Sequence, residues 1–138
     1  MVKVRVEPDC GNAPRKELLR ELVVCLAERD IERLRPLLSD DIDWQLIGAR
    51  SLAGLDEVAG WVSNLAAVRE VVFGSLLTHG RGASVDGMLH LLDGSRIGFC
   101  HVVTFTSAAK SAKIRLARSY IIRSDYQPVG AFTVATGV

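Results

Sequence analysis

Four runs with a period of two, at residues 71–79, 85–92, 97–106 and 113–124, fill most of the second half of the chain, and turn-forming residues separate them. Gly80-Arg81-Gly82 and Asp93-Gly94 read as hairpin turns, because glycine reaches positive φ without steric cost, and 107–112 is a connection of small and polar residues. That pattern predicts one antiparallel meander of four strands. The residues upstream read mainly as helix. Helices first and strands later indicate an α+β domain rather than alternating α/β.

Asn12 or Ala13 is placed to cap a first helix, with Pro14 in the opening turn where its missing N–H is harmless. Leu18, Leu22, Cys25 and Leu26 recur at helical spacing, with Leu19 and Val23 beside them. Asp30 caps a shorter helix over Ile31, Leu34, Leu37 and Leu38, which Pro36 should kink or turn into a short 3₁₀ segment. Residues 42–47 alternate as a strand, 48–54 form a glycine-bounded loop, and 55–67 a third helix burying Val58, Trp61 or Val62, and Leu65. Asp56 and Glu57 suit the first turn of that helix through its dipole.

At 138 residues and 49% apolar composition, one self-sufficient domain is expected. Its core spans about 14–125, between a short N-terminal arm and a C-terminal tail. Seventeen basic residues balance sixteen acidic ones and are scattered, so nucleic acid is not an expected partner. The alternating start lacks a signal-peptide run, and no apolar stretch has the length of a membrane span. Cytoplasmic residence is the default expectation. Cys10, Cys25 and Cys100 are too few and too far apart for a disulfide framework or a zinc site, so they read as free thiols, and no metal or cofactor is implied.

The strands are apolar on both faces. In 97–106, Ile97, Phe99, His101, Val103 and Phe105 share one face, while Gly98, Cys100, Val102, Thr104 and Thr106 make a second that is only weakly polar. An antiparallel sheet packed on helices should show water a polar back. Either a second copy covers that face, giving a two-fold dimer, or the N-terminal arm or the tail 132–138 does.

The element order, together with Arg29-Asp30-Ile31-Glu32, Leu37-Leu38, the run Asp40-Asp41-Ile42-Asp43-Trp44-Gln45-Leu46-Ile47-Gly48, Leu52-Ala53-Gly54 and the late run Lys113-Ile114-Arg115-Leu116-Ala117-Arg118-Ser119-Tyr120, resembles the nuclear transport factor-like superfamily, in particular its SnoaL-like and ketosteroid isomerase-like members. The resemblance implies a cystatin-like cone: three N-terminal helices on the concave side of a strongly curved antiparallel sheet, often dimeric through the convex side. It also implies a pocket for a small apolar ligand and, in some members, lyase, isomerase or cyclase activity. The superfamily hosts non-catalytic binders too, so fold alone does not select an activity. Where the resemblance implies a catalytic base, this chain has Gln45, and where cyclases carry an aspartate it has Ile122. An amide takes up no proton near neutral pH.

The resemblance aligns His101 with a second isomerase acid that donates to an oxyanion. Two readings stand: a catalytic donor in the pocket, or a core histidine satisfied by a carbonyl or water. Asp86 orients it if the Asp93-Gly94 turn has two residues; an odd, bulged loop sets an apolar neighbour opposite instead, and apolar matching favours the odd loop. Tyr120, a second catalytic candidate, shares a strand face with Leu116, Arg118 and Ile122, expected to look into the cavity; it donates to a ligand or is an amphipathic core tyrosine. Arg118 binds a carboxylate or, the favoured reading, pairs structurally. Gln45, Trp44, Trp61, Phe99 and Ile122 complete the expected ligand-binding set, the two tryptophans chiefly as volume fillers. His79 and His90 sit near strand ends and read as exposed.

Overall fold

Seven strands form one sheet in the order β1-β4-β5-β6-β7-β2-β3. The computed structural model describes residues 2–6 and 14–124. The expected meander is present as β4 (Val68–His79), β5 (Gly82–Leu91), β6 (Arg96–Phe105) and β7 (Ile114–Ser124), each antiparallel to the next. The strand expected at 42–47 is also present, beginning earlier, but two parallel pairings were not legible in the period-two pattern. β1 (Lys3–Arg5) pairs in parallel with β4 at one edge, and β2 (Leu38–Leu46) pairs in parallel with β7 at the other. Most of the expected glycine-bounded loop becomes a further strand, β3 (Arg50–Ala53), antiparallel to β2. The sheet is therefore mixed rather than wholly antiparallel.

Three helices cover one face. α1 (Pro14–Glu28) buries Leu19, Leu22, Val23, Cys25, Leu26 and Ala27, close to the stripe its spacing predicts, with Leu18 half-buried at its margin. It stops where Arg29 turns left-handed at φ 55°, and Asp30 then caps α2 (Ile31–Leu34) by accepting the Arg33 N–H at 3.1 Å. Pro36 cannot donate in an α-helical turn, so the chain tightens into a 3₁₀ segment at Arg35–Leu37 before β2. α3 (Gly54–Ser63) is shorter than expected; it buries Val58 and Val62, and Glu57 reaches back to the Ala53 N–H at 2.9 Å. The proposed caps Asn12 and Ala13 and the tail 132–138 lie outside the described residues.

Bulges in β4 between Phe73 and Leu76 and in β7 opposite Thr104–Phe105 interrupt the ladders, and such insertions bend a strand and increase its twist. At the first, Asp86 fills the gap by accepting the Ser75 N–H at 2.8 Å. Gly87 lies opposite, where an added Cβ would collide with the Val72 carbonyl and press on the Phe99 ring. Glu70, a buried carboxylate on β4, faces the basic strand β1, with Arg5 Nε at 2.9 Å and Lys3 Nζ at 3.9 Å. β1 therefore extends the sheet edge and, over residues 2–6, does not lie across its back.

Candidate functional site

His101 is the polar centre of the helix-covered face. On β6 the residues Phe99, His101, Val103 and Phe105 alternate inward, as their spacing predicts, and His101 is 4% exposed. The connection between β5 and β6 has the odd length that apolar matching favours: His90 pairs with Arg96, so Val85 lies opposite His101 and Asp86 opposite Cys100. No His101–Asp86 pair forms.

The partner of His101 is Ser119, its cross-strand neighbour on β7. Ser119 is 1% exposed; its Oγ lies 2.6 Å from His101 Nδ1 and accepts the Trp44 indole N–H at 2.8 Å. Trp44 Nε1, Ser119 Oγ and His101 Nδ1 thus form a continuous buried chain. Around it, the Trp44 ring lies 5.2 Å from Trp61 and meets His101 edge-on at 6.3 Å and 82°, while Phe99 lies 5.3 Å from His101. Burial alone pushes the His101 pKa down from 6.5 to about 4, so the ring is neutral at pH 7.

This ring borders a cavity of about 70 Å³ between α1, α3 and the sheet. Val23, Leu26, Trp61, Leu89, Phe99 and Ile121 supply much of its wall. Among the described residues no aspartate or glutamate lines it, and the lining side chains able to hydrogen bond are His101 and the Trp61 indole. The space is far below the several hundred cubic ångströms typical of pockets for drug-sized ligands. Among the described residues no cluster of three or more His, Cys, Asp or Glu is placed to hold a metal ion. His79 is exposed and His90 half-buried.

His101, Trp44, Trp61 and Phe99 come together on the helix-covered face, although Trp44 does not itself line the cavity. Gln45, Arg118, Tyr120 and Ile122 do not, and each is corrected to the opposite face. In β2 the inward residues are Ile42 and Trp44, so Gln45 turns outward and donates to Asp43 at 3.3 Å. In β7 the bulge reverses the parity: Leu116 pairs with Thr104 but Ile114 with Phe105, leaving Arg115 as an extra residue. Beyond it Ala117 and Ser119 point inward, while Arg118, Tyr120 and Ile122 stand in register with Val102, Cys100 and Gly98 on the sheet's back. Tyr120 is 41% exposed and Ile122 70% exposed, far from the enclosed position expected of them. Ser119, not singled out from sequence, is the residue that completes the site; its one signal was a small hydroxyl between Arg118 and Tyr120, meaningful only once the register was known.

No family model matches the chain. No curated protein matches it. Solved structures do. An NTF-2 like protein of unknown function from Burkholderia xenovorans is similar at 13% identity and a TM-score of 0.69, over 86% of this chain and 92% of that one. A protein of unknown function with a cystatin-like fold from Methylobium petroleophilum is similar at 13% identity and a TM-score of 0.63, over 91% and 85% of the two chains. A protein with a ketosteroid isomerase-like fold from Catenulispora acidiphila, solved in complex with trimethylamine, is similar at 12% identity and a TM-score of 0.60, over 75% and 84%. Identities this low speak to architecture alone, and together with the helix-covered mixed sheet they show that this chain has the cystatin-like fold of the nuclear transport factor-like superfamily.

Proposed function

We propose that this protein binds a small, mostly apolar molecule in the cavity beneath α1 and α3, with His101 as its principal polar contact. One observation carries the reading: an apolar cavity with a single buried, uncharged imidazole at its edge. At about 10–15 Å³ per water-sized group, some 70 Å³ seats roughly five to seven such groups, which suits a short ketone, ether or alcohol and excludes a steroid without rearrangement.

Binding is favoured over lyase, isomerase or cyclase chemistry. Proton abstraction near neutral pH needs a base with a pKa near the working pH. No carboxylate lines the cavity among the described residues, and an imidazole whose pKa is about 4 is too weak a base for the task. The compartment that suits its free thiols is the cytoplasm.

The assembly we propose is a two-fold homodimer through the sheet's back. Leu77 (64% exposed), Tyr120 and Ile122 there present apolar surface in line with half-buried Val102, Cys100 and Met88. Arg118, Gln45 and Tyr120 then belong to the dimer face rather than to a ligand site.

Titration of labelled protein with short ketones, ethers and alcohols tests the pocket by NMR. Saturable shifts at Leu26, Phe99 and His101 are the expected result. Shifts confined to the sheet's back, or none with any member of the panel, would overturn the reading.

A further inference from the structure

The hydroxyl of Ser119 decides which proton His101 carries. The Trp44 indole N–H can only donate, so it occupies one lone pair of Ser119 Oγ at 2.8 Å. Ser119 is sealed from solvent, and a buried hydroxyl proton without an acceptor is costly. Among the described residues the acceptor within reach of that proton is His101 Nδ1, at 2.6 Å. Were His101 to donate from Nδ1 instead, Ser119 would receive two protons and have nowhere to place its own. The arrangement that leaves no proton unplaced runs in one direction: Trp44 N–H to Ser119 O, and Ser119 O–H to His101 Nδ1. A neutral imidazole accepting at Nδ1 carries its proton on Nε2.

We propose that Ser119 is a positioning residue that fixes His101 as its Nε2–H tautomer, so that the cavity offers its ligand a hydrogen-bond donor and selects molecules with an acceptor oxygen such as a carbonyl or ether. The ligand half of this inference rests on the binding function proposed above; the tautomer half does not. Nδ1 is already occupied, and Nε2 is the remaining polar atom of a ring that borders the cavity. The Trp61 indole, the other hydrogen-bonding group of the lining, is also donor-only, so a carbonyl compound complements the cavity where a molecule with donors alone does not.

Nitrogen-15 NMR of the imidazole in the full chain tests the tautomer without any variant. Expected are an unprotonated Nδ1 and a protonated Nε2 at pH 7. In Ser119→Ala the Nδ1 resonance should move toward the value averaged over both tautomers, and Ser119→Thr should restore it; a merely structural role for Ser119 would leave the ring nitrogens unmoved. A protonated Nδ1 in the native protein overturns the proposal. For the ligand half, cyclopentanone and the isosteric hydrocarbon methylenecyclopentane are compared. The ratio of their affinities should fall about tenfold in His101→Phe, the size expected for one hydrogen bond. An unchanged ratio overturns acceptor selection. If neither molecule binds the native protein, the pocket function falls and takes the ligand preference with it, while the nitrogen shifts still judge the tautomer.

Discussion

Acidification should weaken this protein through His101 before most other groups respond. Burial holds the ring neutral by moving its pKa from 6.5 to about 4, and no charged side chain lines the cavity beside it among the described residues. The sign follows from proton counting. Between pH 6.5 and 4 the unfolded chain protonates this histidine and the folded chain does not, so the unfolded state binds more protons and stability falls as pH falls. The contribution is fully present above pH 6.5 and lost progressively toward pH 4. At about 1.4 kcal/mol per pH unit across that window, the loss is about 3 kcal/mol, a large fraction of an ordinary domain's stability. Urea unfolding of the native protein and of His101→Phe, measured from pH 7.5 to pH 4, isolates the effect, because the carboxylates shared by both proteins cancel in the difference. The native protein should lose about 3 kcal/mol more than the variant over this range. Parallel stability curves would refute the buried, neutral histidine, and with it the electrostatic description of the cavity.

Gly87→Ala should destabilise the fold by about 1–3 kcal/mol in the same unfolding assay, since the new methyl meets the Val72 carbonyl and the Phe99 ring. Cys25, whose thiol is pushed up to about 12 by burial and then by Glu21, should resist alkylation at pH 8 until the chain unfolds, as mass spectrometry of labelled peptides would read. Ile122→Arg should convert a dimer into a monomer in sedimentation without unfolding it; a native protein that already sediments as a 15.0 kDa species at micromolar concentration would refute the dimer. Half-buried Cys100 on the same face should be alkylated faster in Ile122→Arg than in the native protein.

The sequence by itself determined whatever depends on near neighbours along the chain. Four period-two runs and two glycine turns sufficed for the meander. Helical spacing found the buried stripe of α1. Asp30 and Pro36 marked the cap and the break, because a carboxylate accepting a nearby backbone N–H and a missing amide donor are local facts. The inward face of β6 followed from alternation, and with it the burial of His101 beside Phe99. What lay beyond reach depended on which strand meets which. β1 and β3 are three and four residues long and gain their structure from β4 and β2, not from their own pattern. The face of β7 turned on one bulged residue, Arg115, whose presence is set by pairing with β6 and leaves no mark on the alternation of β7. That single insertion exchanged Tyr120 for Ser119 on the inward face, beside His101. Period two tells how residues alternate, but only the ladder to the neighbouring strand tells which alternate looks inward.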